Sequence, residues 1–162
     1  MPNQSNDPKV QFEAVEDLLT RWLKERRAVL GKYTEIVVTL DSRLDEEVLA
    51  SRQNALCELL VDYVSVGHFE VFHELINEAE KFGDGGCALA EKLMPAIGDT
   101  TEVILAYEEK YSAAQGHQEK LRRDLSSLGE VLESRFLLED QLIARLHNRH
   151  RRLADSQTPQ SA

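Results

Sequence analysis

Apolar residues recur at helical spacing along almost the whole chain, and no segment carries the two-residue alternation of a strand. Between 9 and 39 they fall at Phe12, Val15, Leu19, Trp22, Leu23, Val29, Leu30, Tyr33 and Val37, which predicts one long helix. Gly31 weakens that helix without ending it. Leu40-Asp41-Ser42-Arg43 reads as a connector, with Asp41 or Ser42 as N-cap of a second helix over 44–66. Leu49, Leu56, Leu59, Leu60 and Tyr63 share a face of that helix. Gly67-His68 is a tight junction, and a short third helix over 68–82 carries Phe69, Phe72, Ile76 and Ala79. Gly83-Asp84-Gly85-Gly86 is the clearest loop. A fourth helix covers 87–114, where Pro95 marks a kink or a fresh start. After a turn at Gln115-Gly116-His117, a fifth helix over 118–150 bears Leu121, Leu125, Leu128, Leu132, Leu142, Ile143 and Leu146. The expected fold is all-α: an antiparallel helix bundle with a four-helix-bundle-like core of long helices plus one short helix. Residues 1–8 are expected to be a disordered lead-in, 9–152 one domain, and 153–162 a disordered tail.

Several polar residues violate this pattern. At roughly 100° per residue, Arg26 falls inside the apolar stripe of the first helix. Arg135 and Glu139, spaced i, i+4, lie on the leucine stripe of the fifth. Asp62 sits at the edge of the second helix's stripe beside Tyr63. Burying charge is costly unless it is paired. Arg135 and Glu139 could be an ordinary intrahelical pair over a thin spot in the core. The sharper expectation is a polar pocket or groove at one end of the bundle, built from Arg26, Asp62, Tyr63, His68, Arg135 and Glu139.

Composition narrows the chemistry. The chain has 29 acidic and 19 basic side chains, a formal net charge of −10, so it is expected to repel nucleic acid and attract basic partners. Cys57 and Cys87 are two isolated cysteines, not a disulfide framework, and fit a reduced, cytoplasmic protein. The polar N-terminus does not read as a signal peptide, and no apolar run reaches the length of a membrane span.

Enzymatic constellations are missing. Glu70-Val71-Phe72-His73 is a single Glu-x-x-His, whereas a di-iron bundle needs two such motifs and further carboxylates. His68 and His73 lack the setting of a phosphorylatable histidine, so His68 reads as a junction residue and His73 as surface. No Gly-x-Ser-x-Gly, activated cysteine or phosphate-binding loop is present. No catalytic residue, cofactor or metal is expected. The basic run Arg145, His147, Arg149, His150, Arg151, Arg152 reads as a solvated cluster at a helix C-terminus. Trp22, flanked by Arg21 and Arg26, is either core or an interface anchor.

Three segments resemble the Rsd/AlgQ family. Leu18-Leu19-x-Arg21-Trp22-Leu23-x-Glu25-Arg26 is similar to its Asp-Arg-Trp-Leu-x-x-Arg segment. Leu60-Val61-Asp62-Tyr63-Val64-Ser65-Val66-Gly67-His68-Phe69 matches its central signature. Leu128-Gly129-Glu130-x-Leu132-Glu133-x-Arg135-Phe136-x-Leu138-Glu139-Asp140 matches its C-terminal helix signature. The likeness runs over about 15–150 in the same order, departing at the termini and near 38–45. It implies an all-helical anti-sigma factor that binds region 4 of the primary sigma factor of bacterial RNA polymerase. Region 4 reads the −35 promoter element and docks on core enzyme, so its capture frees core for alternative sigma factors. On that basis Arg21, Trp22, Arg26, Asp62, Tyr63, His68, Phe69, Arg135, Glu139 and Asp140 are expected to form or support the sigma-binding surface. Phe69 and Trp22 would be apolar anchors, and Asp62, Glu139 and Asp140 would face basic groups of sigma, with Arg26 and Arg135 holding the carboxylates in place. A helical adaptor for other regulatory or metabolic proteins, without sigma sequestration, is the competing expectation.

Overall fold

The computed structural model describes residues 7–42, 45–112 and 118–156. Every regular element among them is helical. Helix α1 spans Pro8–Asp41, with Pro8 in its first turn and the Asp7 carboxylate accepting from the Lys9 N–H at 3.0 Å. Helix α2 spans Glu46–Val66 and is capped by Asp45, which accepts from the Glu47 N–H at 3.2 Å. The expected caps for α2 are therefore corrected. Ser42 instead closes α1, donating its N–H to the Thr39 carbonyl at 3.1 Å, and Asp45 is the residue adjacent to the first turn.

The Gly67-His68 junction is no break. Gly67 has right-handed helical torsions, and Gly67–Val71 forms a π-helical turn closed by the Phe72 N–H on the Gly67 carbonyl. The chain then continues as α3, Phe72–Phe82. Gly83 stops α3 in the left-handed conformation, φ 60°, donating its N–H to the carbonyls of Ala79 and Glu80. Helix α4, Gly86–Ser112, runs through Pro95 as a single helix, with Pro95 on its exposed side. Helix α5 spans Gln118–Leu146. A 3₁₀ turn, Asn148–His150, then leads into a short α6, Arg151–Ser156. The fifth helix is thus shorter than expected, and ordered helix reaches into the stretch read as a polar tail. The proposed lead-in over 1–6, the turn at 115–117 and the tail over 157–162 lie outside the described residues.

Four helical arms pack as a bundle: α1 beside α2, α2 beside α4, and α4 beside α5, with α3 continuing the α2 arm toward the N-terminal end of α1. Val15, Leu19, Trp22, Val29 and Ile36 of α1 meet Leu56, Leu60, Tyr63, Phe72 and Leu75, while Ile97, Ile104, Leu125, Leu128 and Leu132 close the other half of the core. Two residues assigned to the α1 stripe face outward instead, Leu30 and Val37. Val29 and Ile36 take the buried positions, one residue earlier in each case, so the buried line of α1 turns toward α2.

Candidate protein-interaction site

Arg135 and Glu139 are completely buried. The Arg135 Nε donates to Glu139 at 2.9 Å, and its Nη1 donates to the hydroxyls of Thr100 at 3.0 Å and Thr101 at 2.7 Å on α4. The Tyr63 hydroxyl donates to the other oxygen of Glu139. Arg26 reaches that same oxygen at 3.5 Å and binds Asp140 at 2.8 and 3.2 Å, its guanidinium 4.6 Å from the centre of the Phe136 ring. Burial pushes the Glu139 carboxyl upward, and Arg135, Tyr63 and Arg26 pull it back only in part. Burial, then the neighbouring Glu139, drives the Tyr63 hydroxyl far above its ordinary value, which keeps it protonated and donating. The network draws on α1, α2, α4 and α5 and reaches solvent at Asp140.

Of the candidate residues, Arg26, Tyr63, Arg135, Glu139 and Asp140 are therefore joined as expected. Two features of the expected pocket are corrected. The cluster lies midway along the bundle and fills the core rather than lining a groove at one end. Asp62 and His68 do not belong to it: both are exposed, and the Asp62 charge acts on Glu25 instead.

Trp22 is 1% exposed and is no surface anchor. Its ring stacks on Tyr63 at 4.9 Å between centroids and meets the edge of Phe72, and its indole N–H donates to the Tyr63 carbonyl at 3.1 Å. Gly67 makes room for it, since a Cβ there would lie 3.0 Å from the indole Cζ2. Phe69 is the opposite case, with 74% of its surface in solvent. In an uninterrupted α-helix Phe69 would share a face with Phe72, three residues on. The wider π turn spends Gly67 to Val71 on one revolution and leaves His68, Phe69 and Glu70 all facing out. His68 sits against Phe69 at 4.9 Å, edge to face.

Carboxylates gather beside this exposed ring. Burial, then the negative charges of Asp62 and Glu70, raise the Glu25 carboxyl above its ordinary value, with Arg21 pulling the other way. One Glu25 oxygen is buried without a protein hydrogen-bond partner. Arg21 is itself mostly exposed and 3.4 Å from Asp17. The outer face thus offers an aromatic ring with acidic groups whose mutual repulsion Arg21 relieves only in part.

The chain matches the model of the family described as "Regulator of RNA polymerase sigma(70) subunit, Rsd/AlgQ" over residues 1–147. The chain belongs to the Rsd/AlgQ family. Similar relatives include "Regulator of sigma D" of Yersinia pseudotuberculosis, 32% identical over 131 residues and 78% of each chain. Those of Pectobacterium atrosepticum and Salmonella paratyphi A are each 33% identical, the first over 81% of this chain and 88% of the relative, the second over 88% and 90%. No solved structure matches the chain. Family membership makes this protein a regulator of the primary sigma factor. Among the described residues no helix is long and apolar enough to cross a membrane, and no three His, Cys, Asp or Glu side chains converge as a metal site.

Sequence reasoning missed a second polar assembly in this Rsd/AlgQ chain. The arginines of the basic run at the end of α5 are solvated as expected, but His147 and His150 are fully buried. His147 bridges Glu16 and Glu78, and His150 bridges Glu78 and Asp84, each contact 2.6 Å. Phe12 stacks on His147 at 4.2 Å and Phe82 on His150 at 4.1 Å. Hydrogen bonds from Arg151, then His147, hold the Glu16 carboxyl at about 2. Burial alone would raise Asp84, but the Gly86 N–H, His150 and Arg149 outweigh it and hold it low. The ladder ties α1, α3 and the α3–α4 loop to the C-terminal segment. The signal was present in Glu78, which lies three residues after Leu75 on the apolar side of α3, and in the i, i+3 spacing of the two histidines.

Proposed function

We propose that this protein is an anti-sigma factor that holds region 4 of the primary sigma factor on the face formed by Arg21, Glu25, Asp62, His68, Phe69 and Glu70. Phe69 is the apolar anchor and the carboxylates meet basic groups of region 4. Occupying that region blocks its −35 promoter and core-polymerase contacts and frees core polymerase for other sigma factors. Trp22, Tyr63, Arg26, Arg135, Glu139 and Asp140 act from behind, fixing the arm that carries the face. The observation that carries this reading is Phe69, exposed by the π turn and followed directly by Glu70, whose charge acts together with Asp62 on Glu25, in an Rsd/AlgQ chain. Large exposed aromatics beside complementary charge are typical anchors of protein interfaces. A net charge of −10 steers a basic partner toward the chain.

Titration calorimetry with isolated region 4 at two salt concentrations tests it. Roughly one-to-one binding that weakens as salt rises is expected. Phe69→Ala and Asp62→Ala should each weaken binding about tenfold or more, about 1.4 kcal/mol, with unchanged helicity. Absence of binding at either salt, or wild-type affinity in both variants, would overturn the assignment.

A further inference from the structure

The bundle is unevenly closed. Helices α1 and α5 touch along a much thinner seam than α4 and α5 or α1 and α2. A cleft of about 360 Å³ opens along this seam, floored by Tyr33, Gly129, Leu132 and Phe136 and walled by Leu30, Leu137 and one charged residue, Glu133. Leu30 is 47% exposed and Leu137 60%. Tyr33 is drawn down and out of the way: its hydroxyl donates to the Leu125 carbonyl at 2.8 Å, passing where any side chain at Gly129 would stand. Val37 and Val38 extend the apolar wall along α1.

Charge decides what covers this cleft. The exposed residues of α1 between 28 and 38 are Ala28, Leu30, Gly31, Thr34, Val37 and Val38, none of them charged. The two charged residues in the stretch are drawn off toward α2, Lys32 lying 3.4 Å from Glu35 and Glu35 2.9 Å from Arg52. A basic partner finds carboxylates only on the α5 edge, at Glu130 and Glu133, and meets Arg27 on the α1 edge. A second copy of this chain, itself at −10, meets the least repulsion there. The edges are also self-complementary, with Arg27 exposed on α1 and Glu130 and Glu133 exposed on α5. In a two-fold interface every contact occurs twice, residue i on j and j on i, so one Arg27–Glu133 pairing satisfies both edges.

We propose that the α1–α5 cleft is the interface of a two-fold homodimer, in which Leu30 and Leu137 of each copy fill the apolar seam of the other and Arg27 of one faces Glu133 of the other. This surface shares no residue with the Phe69 face, so either assignment can fail without the other. Sedimentation velocity of the full chain over a concentration series tests it. A monomer–dimer equilibrium is expected that added salt does not weaken, because screening relieves the repulsion between two acidic copies. Leu30→Glu and Leu137→Glu should each weaken dimerisation about tenfold or more, since a carboxylate then enters the seam in place of a leucine. Arg27→Glu should also weaken it, and adding Glu133→Arg should restore it. A chain that remains monomeric up to the millimolar range in high salt would overturn the proposal. So would leucine variants that dimerise like wild type. Loss of region 4 binding in Leu30→Glu together with a monomeric wild type would assign the cleft to that partner instead and equally end the dimer. Asp62→Ala, which lies off the seam, should dimerise normally whatever it does to sigma binding.

Discussion

Replacing Glu139 with Ala removes the carboxylate at the centre of the internal network. Two donors lose their acceptor, the Tyr63 hydroxyl and the Arg135 Nε at 2.9 Å, while the Arg26 Nη1 loses a 3.5 Å contact and keeps Asp140 at 2.8 Å. The Arg135 guanidinium, with no solvent exposure, is left with only the Thr100 and Thr101 hydroxyls and the Ile97 carbonyl. Its Nη2 has no partner even in the wild type. Breaking a buried pair by removing one member costs about 3–5 kcal/mol, against about 5–15 kcal/mol for the whole stability of a typical domain. Glu139→Ala should therefore still fold but unfold at a much lower urea concentration, followed by far-UV circular dichroism. Arg135→Met combined with Glu139→Leu removes both charges and should recover to within about 1 kcal/mol of wild type or exceed it, because desolvation is then avoided. A cost below about 1 kcal/mol for Glu139→Ala, the value of an exposed pair, would refute the claim that the pair is buried and mutually dependent.

Gly67→Ala places a Cβ 3.0 Å from the Trp22 ring, so it should destabilise by about 1–3 kcal/mol and shift the fluorescence of the only tryptophan. His147→Ala strands the fully buried Glu78 carboxylate on that side and should cost about 1–3 kcal/mol, with faster amide exchange in α3 and α6 ahead of the rest of the bundle. Glu16 ionises at about 2 in the folded chain against 4.5 ordinarily. A depressed carboxyl contributes stability that is present above the unfolded value and is lost as pH falls through the folded one, so wild type should lose stability between pH 4.5 and about 2 more steeply than Glu16→Gln in acid titrations followed by circular dichroism.

The order and approximate bounds of α1 to α5 were legible because the apolar period of 3.6 persists through every arm and Gly83 marks a turn unambiguously, whereas α6 was not. The linked quartet of half-buried Arg26 with buried Tyr63, Arg135 and Glu139 was legible for the converse reason, as charge inside an apolar stripe has no low-energy explanation except pairing. The direction of individual side chains was less accessible. Leu30 and Val29 are adjacent and both apolar, and only the placement of α2 decides which of them is buried. The C-terminal cluster misled because basic residues at a helix end ordinarily complement its dipole. Here the acids that bury His147 and His150 come from Glu16 and Glu78, far away in sequence.

The π turn was invisible for a deeper reason, and it controls the proposed interface. Its hydrogen bonds are backbone to backbone, so no side-chain pattern announces it, and Phe69 then counts as one more apolar residue in register with Phe72. What the sequence does carry is the glycine at which the turn begins. Trp22 needs the volume beside residue 67, and glycine is the residue that leaves it empty. The Trp22 indole N–H also donates to the Tyr63 carbonyl, in the last turn of α2 before the helix widens. Core packing by Trp22 and surface display of Phe69 are therefore two sides of one local event. A variant that disturbs Trp22 seating should weaken partner binding through Phe69 although Trp22 touches no partner. Trp22→Phe tests this: it keeps an aromatic ring in the core but loses the indole N–H. Weakened region 4 binding with the bundle intact would support the coupling, and wild-type affinity would separate the two.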